Sequence, residues 1–202
     1  SLVERQEDIV SLKDFLLEQG IREISIRLPP SFYFGDLGFT LSGAGFSLSK
    51  RWGCQSLQLV GNEWPAAMKK TKRYDHKQAL KKGIKGEEAP LDQLDDFYHL
   101  LTEGMKAHGT SPTHELQDLK NLASSLPDRV RLFGATSQEG LSAATLVFRI
   151  NRRVGFTFYI TSNNKGLSTG STLVAMVTAA SILKAEGCEW LDMGPSTFDN
   201  FK

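Results

Sequence analysis

The sequence predicts an α/β fold of α+β character, a mixed and mainly antiparallel sheet flanked by helices. Three observations predict it. Val130–Thr136, Leu141–Ile150 and Val154–Thr161 are three strand-like runs joined by short polar turns. An uncharged stretch of 18 residues, Gly166 to Leu183, follows and reads as a buried helix. A last apolar run, Glu189 to Met193, then returns into Gly194-Pro195. An antiparallel meander followed by a strand-helix-strand crossover gives a mixed sheet.

From the start of the chain, residues 4–19 read as a helix, with Ile9, Leu12 and Leu16 on one stripe and Gly20 as the stop. Ile21–Leu28 alternates like a strand and ends at Pro29-Pro30, which cannot continue a ladder. Phe46–Trp52 and Gln55–Val60 read as a hairpin turning at Gly53-Cys54. The window from Lys69 to Lys85 holds eight of the 24 basic residues against Asp75 alone and predicts a basic helix ending near Gly83. Acidic residues Glu87, Glu88, Asp92, Asp95 and Asp96 follow directly, so the net charge of +1 averages two opposed segments. Leu94, Phe97, Tyr98, Leu101 and Met105 mark an amphipathic helix closed by His108-Gly109. Leu116, Leu119, Leu122 and Leu126 mark another, ending at Pro127. Asn163 to Ser171 is a turn-rich loop feeding the uncharged helix, which stops near Gly187.

Composition excludes several classes. With 202 residues, 40% hydrophobic and 23% charged, the chain folds rather than staying disordered. Seven Ser, Thr and Gly positions between Ser168 and Ser181 weaken the uncharged stretch as a membrane span, and the charged opening is no secretory signal. Cys54 and Cys188 are too few for a disulfide scaffold, which places the expected location in a reducing cytoplasm. Neither the cysteines nor His76, His99 and His114 have a partner at metal-ligand spacing, so no metal is expected. Near-neutral overall charge removes DNA as an expected partner.

A faint internal echo joins the two ends. Leu17-Glu-Gln-Gly-Ile-Arg-Glu-Ile resembles Lys184-Ala-Glu-Gly-Cys-Glu-Trp-Leu, and Pro-Ser follows both, at Pro30-Ser31 and Pro195-Ser196. It suggests two related domains, the first represented by its closing elements.

Several segments resemble one family. They are Arg73 with Lys77-Gln-Ala79, Phe97-Tyr98-His-Leu-Leu, His108-Gly-Thr-Ser-Pro112, Val130-Arg-Leu-Phe-Gly-Ala135 with Leu141–Leu146, and Leu191-Asp-Met-Gly-Pro-Ser196. In order and spacing they resemble the FemAB-type, BioF2-like branch of the GNAT (GCN5-related N-acetyltransferase) superfamily. That resemblance implies residues 1–62 as the C-terminal half of a first GNAT-like domain and 63–90 as a basic helical linker. Residues 91–202 would then be a second GNAT-like domain that breaks off before a further helix and hairpin.

The implied reaction is acyl transfer to an amine of a sugar, amino acid or cell-envelope precursor, with acyl-CoA (acetyl-CoA) as donor. An aminoacyl-tRNA-dependent peptidyltransferase and a non-catalytic binding module on the same fold are the alternatives. Asp192 and His108 are the expected catalytic groups, Asp192 as general base at a strand end and His108 because imidazole titrates near neutral pH. Each also has a plain structural role open to it, turn acceptor and helix cap. Lys165-Gly-Leu-Ser-Thr-Gly170 stands where the family has its pyrophosphate loop, with Lys for Arg and Ser168 for the first glycine. Thr161, Lys165, Ser168, Thr169, Gly170 and Ser171 are therefore the expected donor-binding residues, ordinary capping being the competing reading. Arg73, Lys77, Tyr159 and Ser196 are the expected substrate-binding residues. The basic run would grip an anionic donor or tRNA, or simply be a solvated helix face.

Overall fold

A computed structural model describes residues 2–35, 37–51, 53–61, 64–107 and 109–195. The chain divides into two compact units, one from Gln55 to Gly194 and another that contains the residues up to Cys54. In the N-terminal unit, helix α1 (Leu2–Glu18) packs with the short helix α2 (Leu37–Gly43). Gln6 Nε2 donates to Gly43 O at 3.0 Å, and Lys13 Nζ donates to Ala44 O at 2.9 Å. Residues 21–30 form no strand, although their apolar residues alternate. Ile21, Ile26 and Leu28 are exposed, so that alternation is not serving a buried sheet face.

The larger unit is built on one sheet. Its strands are β1 (Cys54–Gln58), β2 (Lys85–Ala89), β3 (Val130–Ser137), β4 (Gly140–Arg149), β5 (Val154–Ser162) and β6 (Trp190–Pro195). They lie in the order β1-β6-β5-β4-β3-β2. Pairing is antiparallel from β2 through β5, and β5–β6 is parallel. The mixed, mainly antiparallel sheet is thus present. Its two ends differ from expectation. Residues 46–51 carry no strand, so the hairpin at Gly53-Cys54 does not form, and β1 adjoins β6 instead. Leu59 N–H donates to Glu189 O at 2.7 Å just past β1. β2 lies where no strand was expected.

Helices cover both faces of the sheet. On one side α4 (Leu94–Lys106) and α5 (Leu116–Ser125) bring Leu94, Phe97, Leu100, Leu101, Leu119 and Ala123 onto Val130, Leu132, Ala144 and Leu146. On the other, α7 (Ser171–Ala185) lays Ala179, Ala180 and Leu183 on Phe133, Val147 and Leu191. Its Val174 and Ala175 join Ala135, Ala143 and Ala79 of α3 (Lys70–Lys81). The pleat assigns neighbours to opposite layers: Leu132 and Leu146 face α4, while Phe133 and Val147 face α7. That double cover is why β3 and β4 read as nearly continuous apolar runs. Each such fully buried Leu or Phe contributes about 1.5–3 kcal/mol.

The C-terminal end of α7 is fastened by charge. Glu186 receives Arg131 Nη1 at 2.7 Å and Arg149 Nη1 at 2.9 Å, and Arg131 also pairs with Glu88 on β2. The Arg131 hydrogen bond, and then the nearby positive charges, hold the Glu186 carboxyl below its ordinary value of 4.5, against an opposing push from burial. In the unfolded chain Glu186 therefore binds its proton more readily than in the fold. Its contribution is present above the ordinary carboxylate range and is lost as pH falls through the lower folded value. Urea unfolding of the wild type and Glu186→Gln from about pH 3 to about pH 7 should show a stability gap at neutral pH that closes towards acid. A gap independent of pH would remove the linkage.

Candidate functional site

The parallel pairing of β5 with β6 covers three residue pairs, Val154↔Trp190, Gly155↔Leu191 and Phe156↔Asp192. Past Phe156, β5 continues to Ser162 with β4 as its paired neighbour, while β6 ends at Pro195. Among the described residues the pairing of β6 with β5 thus ends at Asp192, and we take the parting of the two strands as the candidate cleft. The register of β5 on β4 also shifts here, from Val147↔Thr157 to Leu146↔Tyr159, so Phe158 is the extra residue of a bulge.

The bulge decides which side chains meet. Successive strand residues normally face opposite ways. Phe158 and Tyr159 nevertheless both pack on the α4–α5 side. Phe158 stacks on Phe148 at 4.4 Å between ring centroids and meets His114 at 5.1 Å. Tyr159 Oη lies 3.0 Å from His114 Nδ1, and Tyr98 Oη donates to His114 O at 3.1 Å. The segment holding His114 is thus tied to both β5 and α4. Phe156, where the seam ends, reaches Phe158 edge-on at 6.3 Å. The result is a half-buried aromatic lining along β5 with His114 at its margin.

Asp192 stands at the last pair of the seam. Its side chain is 3% exposed, and its Oδ1 accepts the N–H of Gly194 at 2.8 Å. The turn-acceptor role is therefore filled, and the same residue forms the last described pair before the strands part. Thr157, next along β5, is buried with a hydroxyl that has no partner among the described residues. Thr161 does have one: its Oγ1 donates to Leu100 O of α4 at 3.1 Å.

The segment after β5 is a short helix, α6 (Asn164–Thr169), rather than the expected loop. Asn163 caps it by accepting Gly166 N–H at 2.7 Å. Lys165 pairs with Glu139, and the Ser168 and Thr169 hydroxyls donate back to Lys165 O at 2.9 and 2.8 Å. Beneath them, the Ser142 hydroxyl donates to Ala135 O at 2.9 Å and meets Ser171 Oγ, also at 2.9 Å. These hydroxyls are engaged in fixing the α6–α7 junction. The N-cap of α7 is Gly170, in the left-handed conformation at φ 84°, and it supplies no side-chain bond to the first turn. Capping by Ser or Thr is therefore not what satisfies the start of α7. The N–H groups and positive dipole end of that turn fit an anion better than a cation.

The expected substrate residues divide. Tyr159 is on the aromatic lining. Arg73 donates through Nη1 to Ala66 O and Met68 O, which anchors the chain before α3. Lys77 is exposed on α3, whereas Ala79, nearly opposite on that helix, is buried and sits close to Gly170. The structure thus brings Asp192, Tyr159 and Thr161 to β5 and β6, and Lys165 to Ser171 to the adjoining helix start. Arg73 and Lys77 are not part of that cluster. His108 and Ser196 lie outside the described residues. Among the described residues no group of three or more His, Cys, Asp or Glu side chains would hold a metal ion. None of their helices is long and apolar enough to cross a membrane.

His114 went unread as a site residue, as did the side chains of Phe156, Thr157 and Phe158.

No family model and no curated protein sequence matches the chain. Solved structures do. FemX superposes with a TM-score of 0.63 at 11% identity, over 74% of this chain and 55% of FemX. L-PGS from Bacillus licheniformis gives 0.55 at 11% identity, over 74% of this chain and 48% of its own. The C-terminal DUF2156 domain of a proposed lysylphosphatidylglycerol synthetase from Agrobacterium fabrum gives 0.56 at 11%, over 72% and 46%. The chain spans about half the length of these proteins. At such identities the likeness is one of fold: the chain shares the fold of FemX and of these two structures.

Proposed function

We propose that the protein is an acyltransferase, moving an acyl group from an activated carrier to an amine. The observation that carries this reading is the cleft where β6 leaves β5 at Asp192, beside a helix whose start has no side-chain cap. The likeness in fold to FemX and L-PGS supports the same class.

Acyl transfer needs an extended backbone edge to hold the acyl arm, a polar end for the carrier's phosphates and a base for the amine. β5 beyond Phe156 supplies the edge on the side where it has no strand partner among the described residues, and backbone N–H groups there suit the oxyanion of the tetrahedral intermediate. The first turn of α7 suits the phosphates. Asp192 is the candidate base: it takes the ammonium proton, the amine nitrogen bonds to the acyl carbon, and the carrier's sulfur or oxygen leaves with the electron pair of its bond to that carbon and takes up the second amine proton. The aromatic lining from Phe156 to Tyr159, with His114, is suited to the acceptor. Acyl-CoA is the leading donor, aminoacyl-tRNA the second, and a small amine of a sugar, amino acid or envelope precursor the acceptor.

The test is calorimetric titration of the full chain with acetyl-CoA, longer acyl-CoAs and aminoacyl-tRNA, followed by turnover with a panel of primary amines. Binding of one donor class with amine-dependent release of its carrier is expected. Absence of binding to every donor would leave a non-catalytic module and overturn the proposal.

A further inference from the structure

Helix α3 carries a basic face that the cleft does not use. Ala79 is its buried residue, placed against Ile84 and the α7 residues Val174 and Ala175. At about 100° per residue, Lys70, Tyr74, Lys77 and Lys81, with Leu80 at the margin, fall within an arc of about 120° on the opposite side. All five are exposed, Tyr74 by 62% and Leu80 by 46%. No acidic residue shares this arc. Asp75, the one acid of the helix, lies off it and pairs with Lys72 at 3.5 Å. Arg73 is engaged by the carbonyls of Ala66 and Met68. Lys82 and Lys85, also exposed, continue the positive surface past the helix.

We propose that this face docks the protein onto an anionic lipid bilayer. Lys70 to Lys81 form a line about 16 Å long rather than a pocket, so they match an extended negative surface and not a single small anion. The residues between and beside the lysines select the kind of surface. An exposed tyrosine and an exposed leucine among lysines are what an interfacial helix presents. The apolar tips enter the headgroup boundary, and the flexible amine stems reach lipid phosphates. A strand of nucleic acid would instead favour repeated stacking aromatics and arginines, and this face has one aromatic and no free arginine fork. The inference is independent of the acyltransferase reading.

Co-sedimentation of the full chain with vesicles tests it. Vesicles of phosphatidylcholine with about 30% phosphatidylglycerol should bind, and pure phosphatidylcholine should not. Each of Lys70→Gln, Lys77→Gln and Lys81→Gln should weaken binding about fivefold, and the triple variant about 100-fold. Tyr74→Ser with Leu80→Ser, which leaves the charge unchanged, should weaken it about tenfold. These are exposed positions, and circular dichroism checks that each variant folds. No binding to the anionic vesicles, or undiminished binding by the triple variant, overturns the proposal. So does an unaffected Tyr74/Leu80 variant, which assigns the face to a purely electrostatic partner. Displacement of the vesicles by a duplex or single-stranded RNA oligonucleotide that binds tighter, and loses affinity with the same lysines, assigns it to nucleic acid.

Discussion

Gly166→Ala is expected to destabilise the protein by about 2–3 kcal/mol, a fall in Tm of about 5–10 °C. A β-carbon on Gly166 would lie 2.1 Å from Ser142 O and 2.9 Å from Ser142 C. Both are backbone atoms of β4, a strand paired on both sides, so no rotamer change relieves the overlap. Ser142 O also accepts the Asn163 N–H at 3.1 Å, and Asn163 caps α6 through Gly166 N–H. Moving α6 off the strand would break that cap as well. Gly86→Ala is a useful contrast. Its nearest atoms would be the Thr178 hydroxyl oxygen at 2.0 Å and Val174 Cγ1 at 2.9 Å, but both belong to side chains of α7, which can give by rotation where a backbone carbonyl cannot. The smaller loss should therefore come from the shorter contact. Thermal and urea unfolding followed by circular dichroism decide it. A Gly166→Ala protein as stable as the wild type would show that α6 does not sit on β4 in this way.

Asp192→Asn should lower turnover about 10²–10⁴-fold with a stability change under about 1 kcal/mol. The amide keeps an oxygen to accept the Gly194 N–H, so the turn closing β6 survives. It cannot take a proton from the amine. Asp192→Ala should lose both functions, because the buried Gly194 N–H is left without this acceptor at a cost of about 1–3 kcal/mol. The pair of variants separates the two roles of one carboxylate. If Asp192→Asn turns over at the wild-type rate, with the donor and amine found by titration, Asp192 builds the turn and another group is the base.

The central elements were legible because their residues are constrained from both sides. Leu132-Phe133 and Leu146-Val147 must each fill two cores, so β3 and β4 could be read from apolar runs alone. The same applies to α7, whose Val174, Ala175, Ala179, Ala180 and Leu183 leave no room for charge. The sheet's edges were not legible. β2 reads Lys-Gly-Glu-Glu-Ala, with four of five residues exposed, and its identity as a strand lies in backbone pairing to β3. β1 was given the wrong neighbour because its partner β6 is more than 130 residues away, and no local pattern encodes such a pairing. Asn163 carried the missed signal for α6, since it is a strong N-cap followed by residues also common in turns. At the site, Asp192 and Tyr159 were readable as residues at strand positions. The bulge that puts Tyr159 beside Phe158, and so beside His114, is a register event and not a composition.

The three-pair seam between β5 and β6 also sets where the molecule can breathe. β3, β4 and β5 are stitched by long antiparallel ladders between neighbours in sequence. β6 joins after two intervening helices and holds β5 by far fewer pairs. Local opening in proteins follows the least-secured junction. Among the described register pairings, the β5–β6 junction beside Asp192 is therefore where local opening should be easiest.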